Sequence, residues 1–187
     1  NASATDALTL SITDTTSVSA SALTTLDGKT SVALDASGVT EVTGSYAEVS
    51  ALYAAGEAGT ITGLGDEEVA VTGSSITVSE ANTIASKTTG VVTASLSNSG
   101  LADYAALTET GNDYDLTIND ASVDAGALRA LDAKTTGLIT LTGATSVSGS
   151  YADVNAVLTA AGTAITGWSD PAVTVIGTVS ATEAETL

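Results

Sequence analysis

Carboxylates are the side chains here that could do chemistry, because the thiols and imidazoles on which most reactive sites depend are missing. The 187-residue sequence contains no Cys, His, Met or Phe. Zinc, copper, haem and iron–sulfur sites lose their customary ligands, and Ser–His or Cys–His nucleophilic catalysis cannot be assembled. What remains is general acid–base work by paired acids, as in glycoside cleavage, or binding of a hard cation through oxygen. Asp66-Glu67-Glu68 is the densest acidic run. Its counterpart in the second half, Ser169-Asp170-Pro171-Ala172, keeps one acid, so the run reads as a solvated loop. Gly111-Asn112-Asp113-Tyr114-Asp115, continuing to Asn119-Asp120, alternates oxygen ligands beside a glycine as calcium loops do. It lacks the EF-hand and the Gly-Gly nonapeptide patterns. Turn formation accounts for Asp120 and for Asp14, its counterpart with a one-residue slip.

Carbohydrate chemistry normally needs an aromatic-lined cleft, and this chain has five Tyr and one Trp, dispersed. Tyr46 and Tyr151 hold equivalent places on a first helical turn, which indicates packing. Trp168 stands where the first half has Leu64 and reads as a loop anchor, with stacking on a sugar as the other possibility. Thr140-Leu141-Thr142 is one Thr-x-Thr of the kind a flat face presents to ice or a crystal, but other units do not keep it. Thr is in any case a good strand residue. No residue is assigned a catalytic, cofactor-binding or metal-ligating role and no cofactor is expected; calcium at Asp113 and Asp115 is the rival reading.

Charge narrows the partners. Lys and Arg total 4 against 22 Asp and Glu, a formal net charge of -18. Four cations cannot neutralise a run of phosphates, which argues against nucleic acid and against anionic lipid. No apolar stretch reaches 18 residues, so no membrane insertion is expected.

The elements that must carry these residues repeat. VTGSYAEVSALYAA from Val42 resembles VSGSYADVNAVLTA from Val147, at an offset of 105. ITGLGDEEVAVTG from Ile61 resembles ITGWSDPAVTVIG from Ile165, at 104, and Ser17–Thr30 resembles Ser122–Thr135, again at 105. Seven apolar, β-branched runs recur inside this block, beginning at Leu8, Ser31, Val69, Val91, Leu116, Leu138 and Ala172. Short Ala-rich stretches with helical spacing follow them. Val18-Ser19, Val78-Ser79, Val123-Asp124 and Val179-Ser180 each set an apolar residue before an oxygen-bearing cap, and Leu23 and Leu128 complete staple spacing. Ser45 with Glu48, and Ser150 with Asp153, have capping-box spacing. Lys29, Lys87 and Lys134 share one place and are expected to finish helices, with Gly90 and Gly137 supplying left-handed turns after them. The residues around 61–68 and 165–171 read as loops on one side.

Strand, cap, short helix and turn in succession favour parallel strands. The expected fold is an α/β class, parallel α/β solenoid of strand–short helix repeats, with an all-β sandwich of adhesin repeats as the rival. The expected organisation is a single repeat array over 1–187, seven units in about 1.7 copies of a block of about 105 residues. The start at Asn1 without a signal peptide, and SATEAETL stopping inside a unit, suggest a fragment of a longer chain.

The strings LTTLDGKTS, VTGSYAEV, ITGLGDEEV and ASKTTGVV resemble tandem repeats of giant secreted or cell-surface bacterial proteins, notably cyanobacterial ones. That resemblance covers most of the chain. It implies export, an extracellular location and a surface, adhesive or motility-related role, and it transfers no catalytic residues. The expected function is a non-catalytic structural module of a large extracellular bacterial surface protein: spacer, coat, filament or adhesin stalk. Its partners would be neighbouring repeats of the same chain, or further copies in a surface layer or filament. A calcium- or glycan-binding adhesion module is the second reading.

Overall fold

The computed structural model describes residues 6–13, 16–97, 99–168 and 170–185. Asp14 and Ser169 lie outside them. The chain divides into two compact units, Asn1–Ala94 and Ser95–Leu187. Both are α/β with parallel strands, and no sheet closes into a barrel.

In the first unit β1 (Ser17–Ser19), α1 (Ala20–Asp27) and β2 (Leu34–Asp35) are followed by β3 (Glu41–Gly44), α2 (Tyr46–Ala58) and β4 (Ile61–Thr62), then by β5 (Glu68–Val71), α3 (Val78–Ala85) and β6 (Val92–Ser95). Strands β1, β3, β5 and β6 lie side by side in that order, and β2 pairs with β4. Register places Val18, Val42, Val69 and Val92 in one column, the last three at most 1% exposed. Leu34 and Ile61 form a second buried column. Each such side chain taken fully out of water is worth about 1.5–3 kcal/mol.

The second unit runs α4 (Leu101–Tyr104), β7 (Asp113–Ile118), β8 (Ser122–Asp124), α5 (Ala125–Asp132), β9 (Ile139–Leu141), β10 (Ser146–Gly149), α6 (Tyr151–Ala160), β11 (Ile165–Thr166), β12 (Ala172–Val175) and α7 (Ala181–Ala184). Here β7, β9 and β11 pair in order, as do β8, β10 and β12. The columns are Leu116–Ile139–Ile165, all buried, and Val123–Val147–Val173, of which Val173 is 43% exposed. In each unit a small residue lets one strand–helix junction nestle on another. A Cβ on Gly44 would stand 3.3 Å from Cβ of Ala20, and one on Gly149 would stand 2.9 Å from Cβ of Ala125.

Caps explain where helices begin. Ser45 with Glu48, Thr77 with Glu80 and Ser180 with Glu183 close full capping boxes. Asp124 accepts from the Ala127 N–H at 2.8 Å, and Ser150 from that of Asp153 at 3.3 Å. Two expected caps differ. Thr77, not Ser79, opens α3, because Thr77 has Glu80 three residues on and Val78 starts the helix. Ser19 holds the cap position of α1 but turns its hydroxyl to Ser21 instead of to a backbone N–H.

The pattern of strands also differs from the reading of one apolar run per unit. Short strands β1, β3, β8 and β10 stand directly before their helices. The residues expected to be loops contain β4 and β11, whose Ile61 and Ile165 are buried. Leu8–Ile12 forms no regular strand; it is tied to β2 by a bridge between Ser11 and Asp35 and by the Ile12 N–H on the Asp35 carbonyl at 2.8 Å.

Candidate functional site

Three clusters of polar side chains need a chemical account: the 66–68 acids, the 112–120 acids, and the residues after each Lys.

Asp66 and Glu68 are exposed, as a solvated loop requires, but Glu67 is 1% exposed. The loop turns Glu67 inward under helix α2, where its Oε1 accepts a short hydrogen bond from the Tyr53 hydroxyl. Its Oε2 accepts from the backbone N–H of Gly65 at 2.7 Å and of Asp66 at 3.3 Å. Thr88 closes the knot by donating to the Glu67 carbonyl at 2.6 Å. A carboxylate out of water needs several donors, and this one has them. Burial first, then the hydrogen bond and charge of Glu67, push the Tyr53 hydroxyl far above the ordinary phenol range. Sequence reasoning misses this pair when it judges the acids as one run. The signal lies in the internal comparison: Tyr53 corresponds to Leu158 and Glu67 to Pro171, so both polar members are apolar in the second half.

The remaining two acids join Glu41 in a shallow groove of about 570 Å³ with Thr16, Ser17, Ser37, Val39 and Thr40. Glu41 and Glu68 are direct partners on neighbouring parallel strands, a like-charge pairing that costs stability. No aromatic ring lines this groove. Tyr46 and Tyr151 are half-buried at the starts of their helices. Trp168 is half-buried, with its indole N–H enclosed and without a partner.

The 112–120 acids do not converge. Asp115 Oδ1 accepts from the Leu138 N–H at 3.0 Å, and Asp120 Oδ2 from the Leu101 N–H at 2.6 Å, capping α4. Asn112 is buried, and its carbonyl accepts from Thr135 and Thr136. Asp113 and Asp115 share one face of β7, while Tyr114 between them is 1% exposed. The Tyr114 hydroxyl has no hydrogen-bond partner, and burial, with the Glu109 charge second, pushes it up to about 12. Among the described residues no group of three or more acids is placed to hold a metal ion, and no helix is long and apolar enough to cross a membrane.

The third cluster is the most regular. Thr30, Thr88 and Thr135, each directly after a Lys, are at most 9% exposed. Thr30 donates to the Leu8 carbonyl at 2.6 Å and accepts from the Leu8 and Val32 N–H groups. Thr88 accepts from the Gly90 N–H at 3.0 Å in addition to its bond to Glu67. Thr135 donates to the Tyr114 carbonyl at 2.9 Å and accepts from the N–H of Tyr114 at 2.8 Å and of Gly137 at 3.0 Å. One hydroxyl thus brackets its own turn to backbone 21 or 22 residues earlier.

That bracket corrects one expectation. Gly90 and Gly137 are not in the left-handed region. They are glycines because a Cβ would lie 2.3 Å from the Glu67 carbonyl oxygen or 2.5 Å from that of Tyr114. The three lysines do stand at the ends of their helices, directly after the C-cap, with their backbone N–H groups on the last-turn carbonyls of Leu26, Ile84 and Leu131. The ammonium groups of Lys87 and Lys134, two residues past α3 and α5, reach earlier segments. Lys87 pairs with Glu57 on α2 at 2.5 Å, and Lys134 reaches the carbonyls of Ala105 and Leu107 after α4 at 3.0 and 2.5 Å.

The threonines at 140 and 142 do not act as a pair. Thr142 donates to the Ile118 carbonyl at 3.1 Å, whereas Thr140 lies in register between Thr117 and Thr166, with its hydroxyl 3.3 Å from that of Thr166. The polar side chains of the second and third clusters mostly tie backbone to backbone. Comparison with protein-family models, with curated proteins and with solved structures gives no match.

Proposed function

We propose that this chain is a non-catalytic structural module of a large extracellular bacterial surface protein, built as an α/β solenoid of stacked strand–helix segments. One observation carries the reading: Thr30, Thr88 and Thr135 repeat one hydroxyl bracket between successive segments. A fold assembled from one repeated joint can lengthen without a new core, which suits a spacer, coat or stalk. Export and the bacterial surface come from the resemblance of its repeats.

The test is a glycan array run with calcium and with chelator, alongside thermal unfolding under both conditions. The structural reading expects no retained glycan and the same melting temperature in both. A calcium-dependent glycan signal, or melting raised by many degrees on adding calcium, replaces it with an adhesion module. Substituting Asp113 and Asp115 would then locate the ion.

A further inference from the structure

We propose that the Asp170–Pro171 peptide bond is a built-in scission point, cut in mild acid by the Asp170 side chain itself. The proposal goes beyond the structural-module reading and does not depend on it.

Pro171 is the one proline of the sequence, and it follows an acid. A proline nitrogen has no N–H and is more basic than an ordinary peptide nitrogen, so it leaves more readily once protonated. Asp170 is exposed in the link between β11 and β12, where water reaches it.

The backbone there suits neither residue. Asp170 has a φ of 57° and is the only non-glycine residue with positive φ among the described residues. Aspartate enters this region more readily than most side chains, but the residue before a proline favours extended backbone, with φ near about −120°. The link cannot relax by shifting, because it is pinned at both ends. After β11, Gly167 lies so close to β9 that a Cβ would stand 2.1 Å from the Leu141 carbonyl oxygen. At the start of β12, Ala172 donates its N–H to the Thr145 carbonyl at 2.9 Å. Between the pins Trp168 is half-buried, with its indole N–H enclosed. Torsions held off their preferred values by the surrounding structure gather at functional positions.

The first half shows the same link without this strain. Gly63 is pinned as Gly167 is, since a Cβ there would stand 2.6 Å from the Ser37 nitrogen. The positive φ, 127°, falls on Gly65, and Asp66 is outside that region. At the 104-residue offset Gly65, Asp66 and Glu67 become Ser169, Asp170 and Pro171. The second half thus lacks that glycine and sets a proline after the aspartate that takes the turn. The acids thin out as well. Glu41 and Glu68, which share a groove with Asp66, become Ser146 and Ala172. Strands β9, β10, β11 and β12 carry no titratable side chain, so no charge on them faces Asp170.

In the step itself an Asp170 carboxylate oxygen attacks the Asp170 backbone carbonyl carbon. A C–O bond forms and closes a cyclic anhydride, while the bond to the Pro171 nitrogen breaks and that nitrogen leaves with a proton taken from solvent. Water then opens the anhydride. Asp170 is left with a free α-carboxyl group and Pro171 with a free secondary amine. The strain of the turn is released as the bond breaks, so the folded chain is cut faster than the same residues in a free peptide. Both flanks stay in place afterwards, β11 on β9 and β12 on β10 through four matched residues.

The experiment incubates the 187-residue chain at the lowest pH at which circular dichroism still reports the native signal, and again near neutrality. A peptide of residues 165–176 is treated alongside, and mass spectrometry follows both. The chain should yield fragments 1–170 and 171–187, together one water heavier than the parent. In acid they should form about tenfold or more faster than the peptide is cut, and near neutrality far more slowly. Asp170→Asn, which removes the nucleophile, and Pro171→Glu, which restores the first-half residue, should both stay whole. No cut after Asp170, a rate no higher than that of the peptide, or the same cut in Asp170→Asn would each overturn the proposal. A chain that stays intact leaves the structural-module reading standing.

Discussion

Replacing Thr135 by Val keeps the shape and removes one oxygen, which leaves the buried Tyr114 N–H and its carbonyl without that partner. The expected loss is about 1–3 kcal/mol, read as a lower urea midpoint, and Thr135→Ser should retain most of the stability. Little change in the Val variant would remove the bracket from the account. The Tyr53–Glu67 pair is tested by borrowing from the second half. Tyr53→Leu and Glu67→Pro should each destabilise, and the double variant should lose less than the two losses added. Strict additivity would mean the two residues are independent. The phenols also give a pH signature. Burial raises Tyr53, Tyr104 and Tyr114, so unfolded tyrosine ionises earlier, near pH 10. The stability held by the neutral phenols is complete below about pH 10 and is lost as pH climbs through the folded values, about 12 for Tyr114. Phenolate absorbance should therefore rise for these three together with loss of the circular dichroism signal. Ionisation of all three well before unfolding would contradict their burial.

Helix ends separate the elements that sequence displays from those it conceals. Thr77→Ala should cost about 1 kcal/mol because it opens a capping box, whereas Ser19→Ala should cost little, since that hydroxyl caps no backbone N–H. Thermal melts that rank the two in the opposite order would refute the cap assignment. Glu48, Asp153 and Glu183 are held below the ordinary carboxylate range, by Ser45, by Ser150 with Arg129, and by Ser180. Their contribution is present above about pH 4 and fades as pH falls through the folded values. The helices and the parallel pairing were legible because a cap and a 3.6-residue period leave marks over eight or more residues. β1, β3, β8 and β10 were not, since each has three or four residues and a single inward valine. The glycines after Lys87 and Lys134 were visible, but their reason was not: it lies in backbone more than 20 residues earlier. Glu67 was hidden in the same way, its fate decided by Tyr53 on another element.

Over the whole chain, few residues hold any one strand pair. Pairs β2–β4, β9–β11 and β5–β6 match two residues each, and the other pairs of the valine columns three or four. The matched valines recur at steps of 23 to 27 residues. Such joints have a mechanical meaning. When the ends are pulled apart, each joint resists with a handful of hydrogen bonds, reinforced at Thr30, Thr88 and Thr135 by a threonine bracket, then frees the residues of one step. At about 3.3–3.6 Å per residue, each release should lengthen the chain by roughly 80–90 Å. Single-molecule force spectroscopy should show several small, even teeth in place of one large rupture. The chain would then act as an extensible tether that dissipates a sudden load in instalments and re-forms when the load is lifted.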